Sequence, residues 1–229
     1  MPITATHLLT SGDSADATSY VTASISPTAG KLVLLAVANV STATPPANTP
    51  TVSGAGMTWT EVATKVETTD TFRRITVFRG VAGGSSGALT IDFAGETQLR
   101  CGWSISEFAD CDTSGTNGAN GIVQSVTGEN VASPNTDLSI TLAAFTSTDN
   151  ATYGALRKAS AEAVSPGTGF TELGEYEFET GNIIETEFKA TNDTSVDWSW
   201  ASGNSFATGI GIELRFRSGG VLDTTSKMW

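Results

Sequence analysis

The sequence predicts an all-β fold, an antiparallel two-sheet β-sandwich of the jelly-roll kind, on the basis of three observations. Apolar and polar residues alternate with a period of two along most of the chain, turn-forming residues separate the alternating runs, and helical periodicity is nearly absent. A period of two places one face of a strand against a core and the other in water, which is typical of antiparallel sheets. We therefore expect each alternating run to be a half-buried strand.

The predicted strands follow one another with little between them except turns. The clearest alternating runs are Leu89–Phe93, Leu99–Ile105, Val196–Trp200 and Phe206–Leu214. In the second run, the odd-numbered residues are expected on the core face, and Arg100, Gly102 and Ser104 on the solvent face. The run Leu32–Val40 is apolar on both faces, so we expect it in mid-sheet, covered on both sides. Only residues 155–163 fit a helix, and a strand followed by a loop is the better interpretation there.

A diffuse internal repeat suggests that the sandwich arose by duplication. Three pairs of segments match: 21–35 with 140–156, Gly56-Met57-Thr58 with Gly169-Phe170-Thr171, and Leu99–Phe108 with Phe206–Phe216. The repeat predicts halves at about 17–112 and 136–217 of a single sandwich domain that spans residues 17–217. The alternative interpretation is that strands of any β-sandwich resemble one another.

Both ends of the chain fall outside this pattern. Residues 1–16 are expected to form an N-terminal arm, and residues 218–229 a C-terminal tail that ends in a tryptophan. Burying a large apolar side chain contributes roughly 2–3 kcal/mol, so we expect the tail to dock on its own domain or on a neighbouring subunit. The candidate partner contacts in the two ends are Ile3, Leu8, Leu9, Val221, Leu222, Met228 and Trp229.

Composition and charge exclude several function classes. The 229 residues include 12 Lys and Arg against 24 Asp and Glu, a net charge of −12, which argues against nucleic-acid and anionic-membrane partners. The single histidine, His7, lies near the chain end, so a histidine base or metal cage is not expected. The start lacks a secretion signal and the longest apolar run, Leu32–Ala38, is too short to span a bilayer. These features predict a soluble protein made in a cytoplasm.

The two cysteines lie ten positions apart, too far for a bridge within one extended strand. We interpret Cys101 as a thiol in the core and Cys111 as incidental. A disulfide between them would require the chain to fold back near Ala109.

The densest polar cluster is acidic and comprises Glu172, Glu175, Glu177, Glu179, Glu185 and Glu187. Two carboxylates on neighbouring strands can hydrolyse a glycoside, and the run Glu175–Glu179 loosely resembles the acidic strand of jelly-roll glucanases. It lacks the central Asp of that motif and the spacing differs, so a solvated sheet face is the simpler interpretation. We predict no catalytic residue and no enzyme activity.

A cation or a glycan remains an alternative ligand. The loop 109–120 offers Asp110, Asp112, Asn117 and Asn120 as oxygen ligands for calcium, without the spacing of a known calcium motif. We expect no metal and no cofactor. Trp59 is a weak candidate for stacking on a sugar, whereas Trp103, Trp198 and Trp200 are expected in the core.

The order of several strand motifs resembles a group of phage-encoded and metagenomic β-sandwich proteins found among virion structural genes, similar in architecture to concanavalin-like jelly rolls. The resemblance covers mainly residues 17–112. It rests on Val21–Ala38, Gly56–Val62, Arg74–Val81, Leu89–Phe93 and Trp103–Phe108. It implies a virion structural protein located in the virion, a capsid decoration or tail-associated protein, and it brings no site residues with it.

Together these observations predict a capsid decoration or cement protein that binds a major capsid protein, or another virion protein, and reinforces the shell. Symmetric decoration proteins cluster at capsid axes, so a homo-oligomer, with a trimer as the preferred state, is expected. The alternative is a glycan-binding module of a tail or fibre, with loops 42–50 and 109–120 in contact with the sugar.

Overall fold

The computed structural model describes residues 2–46, 48–132, 134–201 and 206–218, and nearly all of their regular structure is β-strand. This confirms the all-β, sandwich-like prediction. The strands in chain order are β1 (Thr4–Asp13), β2 (Ser19–Val21), β3 (Leu32–Ser41), β4 (Thr51–Gly54), β5 (Thr60–Val66), β6 (Arg73–Val81), β7 (Leu89–Asp92), β8 (Gln98–Ala109), β9 (Ile122–Asn130), β10 (Asp137–Thr141), β11 (Ala151–Lys158), β12 (Ser165–Pro166), β13 (Thr171–Glu179), β14 (Asn182–Lys189), β15 (Ser195–Ser199) and β16 (Ala207–Leu214). A 3₁₀ turn, Thr116–Gly121, precedes β9. Within the described ranges, no helix has the length and apolarity to cross a membrane.

The strands form four antiparallel sheets, two in each half of the chain. Inner sheet 1 has the order β1-β8-β3-β6-β5, and outer sheet 1 has the order β2-β7-β4. Inner sheet 2 has the order β9-β16-β11-β14-β13, and outer sheet 2 has the order β10-β15-β12. Each strand of the second half therefore occupies the place of the strand eight positions earlier. Both halves have one topology, which is the structural form of the repeat seen in the sequence.

The matching segments in the sequence occupy equivalent places. Gly56 and Gly169 each follow the last strand of an outer sheet and adopt positive φ, at 63° and 81°. The next residue in each half, Met57 or Phe170, is buried against the core of that half. A glycine tolerates this left-handed backbone without strain, which explains why the tripeptides are similar. The halves begin earlier than predicted, because β1 and β9 belong to them.

The two inner sheets pack face to face, which gives a four-layered molecule with outer sheets on both sides. One hydrophobic cluster lies between the inner sheets, and one lies between the inner and outer sheet of each half. Contacts between the halves come in exchangeable pairs: β1 lies on β13 as β9 lies on β5, and β8 lies on β14 as β16 lies on β6. The halves are therefore related by an approximate two-fold axis, as in an isologous dimer.

The inner sheets are covered on both faces, which confirms one expectation and corrects another. β3 is buried at every position, as its apolar residues on both faces predict. In β8, the residues expected in water, Gly102 and Ser104, face the second half instead. Gly102 packs against the ring of Phe178, and Ser104 Oγ lies 2.7 Å from Thr186 Oγ1. In β8, one face therefore packs against the apolar core of the first half, and the other face makes polar contacts with the second half. Neither face lies in solvent.

The N-terminal segment is not an arm outside the sandwich. Residues Thr4–Asp13 pair with β8 along its length, and a bulge between His7 and Leu9 shifts the register. This corrects the predicted boundary at residue 16. The segment is polar because it is an edge strand, and the missing alternation concealed it in the sequence.

A buried ion pair joins the two halves. Arg157 on β11 donates from Nη1 to Glu67 Oε2 at 3.0 Å, and neither side chain is exposed. Glu67 lies in the turn after β5, where Arg73 also approaches it. Burial raises the pKa of Glu67, and the two guanidinium groups oppose that shift. Removing one partner would leave a buried charge uncompensated.

The cysteine interpretation is partly confirmed. Cys101 is fully buried in the core of the first half, and burial raises the pKa of its thiol well above the usual range. Cys111 is also buried and forms an isolated antiparallel β-bridge with Phe216, so it is a packing residue and not an incidental one. Both thiols are free.

Candidate functional site

The described partner-contact candidates are used inside the chain. Ile3 is fully buried between the inner sheets, and Leu8 and Leu9 pack partly buried against the core of the first half. The partner contact predicted at Ile3 is therefore corrected, because that side chain lies in this chain's own core. The contacts predicted at Leu8 and Leu9 stay predictions, since both side chains remain partly exposed. The candidates of the tail, Val221, Leu222, Met228 and Trp229, lie outside the described residues.

Little of the described surface is apolar. Among the described residues, two large hydrophobic side chains are exposed, Val21 at 64 % and Tyr176 at 39 %. They lie on β2 and β13, which are edge strands of different sheets in opposite halves. This part of the chain therefore presents no contiguous apolar patch of the kind that marks an obligate interface.

Trp59 does not form a free stacking platform. It is half-buried against the core of the first half, where its ring packs close to Gly80. Its Nε1 is buried without a hydrogen-bond partner. The core holds one part of the ring and leaves another part exposed, so the sugar contact at Trp59 stays a prediction. Trp103, Trp198 and Trp200 are core residues, as predicted.

Two grooves flank the ring of Phe216 at one end of the molecule. The first, of about 450 Å³, is lined by Thr146, Ser147, Asp149, Asn150, Arg215, Phe216 and Ser218. The second, of about 500 Å³, is lined by Pro2, Thr148, Asp149, Ala190, Thr191 and Phe216. Asn150 fixes this corner, because its Oδ1 accepts the backbone N–H of Phe216 while its Nδ2 donates to Glu213.

A third groove, of about 360 Å³, lies on outer sheet 2. Its walls are Asp137, Leu138, Ser139, Pro166, Gly167, Thr168, Asp197, Trp198 and Ser199. Asp197 lies opposite Ser139 and Asp137 opposite Ser199, so the two carboxylates are diagonal neighbours on one face. Hydroxyl and carboxylate groups that converge on a shallow groove suit a polyhydroxylated ligand, for which they offer acceptors and donors.

The acidic cluster is divided between a buried pair on β14 and four exposed or half-exposed glutamates on β13. Glu185 and Glu187 are fully buried beneath outer sheet 2, which corrects their interpretation as part of a solvated face. A buried acid cannot reach a glycosidic oxygen, so these residues cannot serve the two-carboxylate mechanism in this closed arrangement. Sequence reasoning missed their burial because β14 lies inside a sheet that is covered on both faces.

Two serine hydroxyl groups lie beside a basic side chain, but neither is placed to act as an activated nucleophile. Ser106 Oγ lies 3.4 Å from His7 Nδ1 but is 2 % exposed, and burial lowers the pKa of His7. Ser160 Oγ accepts a hydrogen bond from Lys158 Nζ, and burial lowers the pKa of Lys158. Glu162 opposes that shift and binds the ammonium group, which favours the charged form of the lysine and not the base.

The candidate cation ligands in loop 109–120 are engaged within the protein. Asp112 accepts from the backbone N–H and hydroxyl of Ser114, and these bonds lower its pKa. Asp110 pairs with Arg217, Asn117 donates to Thr60, and Asn120 donates to Ser114. Within the described ranges, no group of three or more His, Cys, Asp or Glu residues is arranged to hold a metal ion.

Comparison with known proteins adds no relative. No family model, curated protein or solved structure matches this chain.

Proposed function

We propose that this protein is a structural component of a phage virion, a capsid decoration or cement protein that binds the outer shell and stabilises it. The observation that carries the proposal is that the ionisable groups described above are engaged in bonds within the protein. The buried ones join layers of the molecule, Ser106 beside His7 is buried, and Lys158 beside Ser160 is bound by Glu162. A stack of four β-layers with this internal bonding suits a load-bearing role. The phage setting rests on the resemblance of residues 17–112.

The acidic charge supports an outward-facing place in the particle. A net charge of −12 repels packaged nucleic acid, whereas it suits a component on the outside of the shell. The described surface is mostly polar, so the proposal assigns the apolar anchor to residues 218–229. Val221, Leu222, Met228 and Trp229 supply the large side chains that an interface centre requires.

The test uses capsids of the phage that encodes the chain, prepared without this protein. The full chain is expected to co-sediment with these capsids and to raise their disruption temperature. A chain that ends at Arg217 is expected to keep its fold, measured by circular dichroism and thermal unfolding, and to lose capsid binding. A folded full-length chain that fails to bind would refute the decoration role, and binding by the truncated chain would refute the anchor.

The oligomeric state is a separate part of the proposal. We infer a homo-oligomer, with a trimer as the preferred state, because decoration proteins occupy symmetry axes of the shell. Light scattering coupled to size exclusion is expected to give three times the chain mass. A monomer at every concentration would contradict this inference while leaving capsid binding to be measured directly.

The groove on outer sheet 2 favours a second candidate, a glycan-binding module of a tail or fibre. The proposed contacts are Asp137 and Asp197 with the hydroxyl groups of Ser139 and Ser199. On a glycan array, a positive signal is expected to disappear in a D137A/D197A variant. The matched control is D92A, since Asp92 is exposed on β7, the equivalent strand of the first half. An array without signal would eliminate this candidate.

A further inference from the structure

Two buried carboxyl groups connect the inner and outer sheets of the second half. Glu185 and Glu187 project from the same face of β14, and neither is exposed. Glu185 Oε2 accepts a hydrogen bond from Trp198 Nε1 at 2.6 Å, and Glu187 Oε2 accepts one from the backbone N–H of Gly167 at 2.9 Å. Trp198 belongs to β15, and Gly167 directly follows β12. Each acid therefore holds a different segment of the outer layer.

The other oxygen of each carboxyl group has no partner. Glu185 Oε1 and Glu187 Oε1 are buried, and neither makes a hydrogen bond. Glu213, a buried glutamate of the same half, is different: Asn150 and Thr146 donate to its Oε1 and Gln124 donates to its Oε2. A carboxylate buried with donors on both oxygens is solvated by the protein, whereas one with a bare oxygen is not.

The surroundings of the pair are mostly negative or apolar. Strand β13 brings Glu172 and Glu175 towards Glu185, and Asp193 and Asp197 face Glu187. Lys189, on the same strand, is the cation that faces Glu187. Apolar residues fill the rest of this core, among them Leu138, Ile140, Leu156 and Val196. The environment therefore favours neutral acids over a pair of buried negative charges.

We propose that Glu185 and Glu187 form a pH-sensitive latch that holds outer sheet 2 on inner sheet 2 while both carboxyl groups carry their protons, and that releases the outer sheet when the protons are lost. Ionisation places negative charge between two sheets with no donor for either free oxygen. Separation of the sheets lets water reach the charges and relieves this cost. Gly167 and Trp198 also line the groove on outer sheet 2, so release changes the shape of that groove.

The direction of the pH effect follows from the shifts. Burial raises the pKa of Glu187 to about 8, and burial together with the charge of Glu187 raises the pKa of Glu185 well above the usual carboxyl range. Both values lie above those of the unfolded chain, so the native state binds more protons. This contribution to stability is then fully present below the unfolded pKa of 4.5 and is lost as pH rises from that value through about 8.

Hydrogen exchange of wild type and E185Q/E187Q tests the latch. The glutamines keep the shape of the neutral acids and cannot ionise. The ratio of wild-type to variant exchange rates, taken at equal pH, cancels the intrinsic pH dependence. For peptides that cover β15, this ratio is expected to rise by about tenfold or more between pH 6 and pH 9. For peptides that cover β7 in the first half, it is expected to stay near unity. A ratio for β15 that does not change with pH would overturn the proposal.

Two further measurements guard against a variant that does not fold. In the wild type, infrared spectra at pH 7 are expected to contain the carbonyl band of protonated carboxylic acids, and that band should disappear towards pH 10. Its absence at pH 7 would also overturn the proposal. The matched control is E213Q, which removes another buried carboxylate of inner sheet 2. It is expected to lower stability at every pH and to leave the alkaline release of β15 unchanged.

Discussion

The cores of the two halves solve the same packing problem in opposite ways. In the first half, the inner sheet supplies the bulk, with Val33, Leu35 and Val37 on β3 and Trp103 and Ile105 on β8. In the second half, the inner sheet is hollowed by glycines and the outer sheet supplies the largest side chain. Large side chains therefore come from the inner sheet in the first half and from the outer sheet in the second half, although the strand topology is the same.

The hollow in the second half is built for Trp198. A Cβ at Gly154 would lie 2.6 Å from the Trp198 ring, and one at Gly209 would lie 3.1 Å from it. A Cβ at Gly211 would lie 3.0 Å from Val196 of the same outer strand. Because glycine weakens a strand interior, its presence at three such positions indicates a requirement for close approach. Specificity in this half comes from shape, whereas the first half relies on side-chain volume.

The largest effect is expected from removing the filler of the second core. We expect Trp198→Ala to lower the free energy of unfolding by about 3–5 kcal/mol, since it leaves a cavity over two glycines, Gly154 and Gly209, that cannot fill it. It also deprives Glu185 of its hydrogen-bond donor. Chemical denaturation measures the loss. A cost below about 1 kcal/mol would mean that the layer collapses easily and that the shape argument fails.

Adding a single methyl group to the inner sheet at Gly154 tests whether the close contact with Trp198 is required. We expect Gly154→Ala to cost about 1–3 kcal/mol, because the new Cβ would meet Trp198 and Val196 at 2.6 and 2.7 Å. The matched control is Gly83→Ala, in the connection after β6, where nothing lies within 4 Å of the added atom. It is expected to change stability by less than about 0.5 kcal/mol. Equal effects at the two positions would contradict the close fit around Trp198.

The fold was largely predictable from the sequence, and the polar interior was not. Alternation and turn residues indicate an all-β sandwich, and the tripeptides that begin at Gly56 and Gly169 indicate the repeat. Alternation reports that two faces of a strand differ, without reporting what covers each face. For that reason Ser104 and Glu187 read as solvent-facing, although each lies between two sheets. The second layer of covering comes from the other half of the chain, and local sequence carries no record of it.

The predicted partner contacts show the same limit. Ile3 and Leu9 are apolar residues in a polar segment, a pattern that suits both an exposed arm and an edge strand. Edge strands carry polar and charged residues that discourage pairing with other chains, and such residues in β1 obscure the alternation and favour the prediction of an arm. Burial of Ile3 was therefore beyond prediction from the segment alone. Ile3, predicted as an interface residue, therefore lies in the core.

A third prediction compares the indole Nε1 atoms of two buried tryptophans, one in the core of each half. Trp198 Nε1 donates to Glu185, whereas Trp103 Nε1 is buried without a partner. We expect Trp198→Phe to cost more than Trp103→Phe by roughly 1–2 kcal/mol, because only the first leaves a buried carboxyl group without its donor. Denaturant titration at pH 7 gives both values. Equal costs would show that ring volume alone decides the two cores.

The smallest effect is expected at the interface between the halves, where His7 packs against Gly174 of β13. Burial lowers the pKa of His7, so the native state binds fewer protons than the unfolded chain, and stability falls as pH drops below the unfolded value of about 6.5. The side chain is exposed, and screening by solvent limits the loss to less than about 1 kcal/mol. Thermal unfolding between pH 7.5 and pH 5 measures it, and His7→Asn is expected to flatten that limb. Stability therefore falls in acid because of His7 and in alkali because of Glu185 and Glu187. The His7→Asn and E185Q/E187Q variants thus separate the contribution of the interface between the halves from that of the core of the second half. A His7→Asn profile that still falls in acid by the wild-type amount would assign the acid limb to other groups.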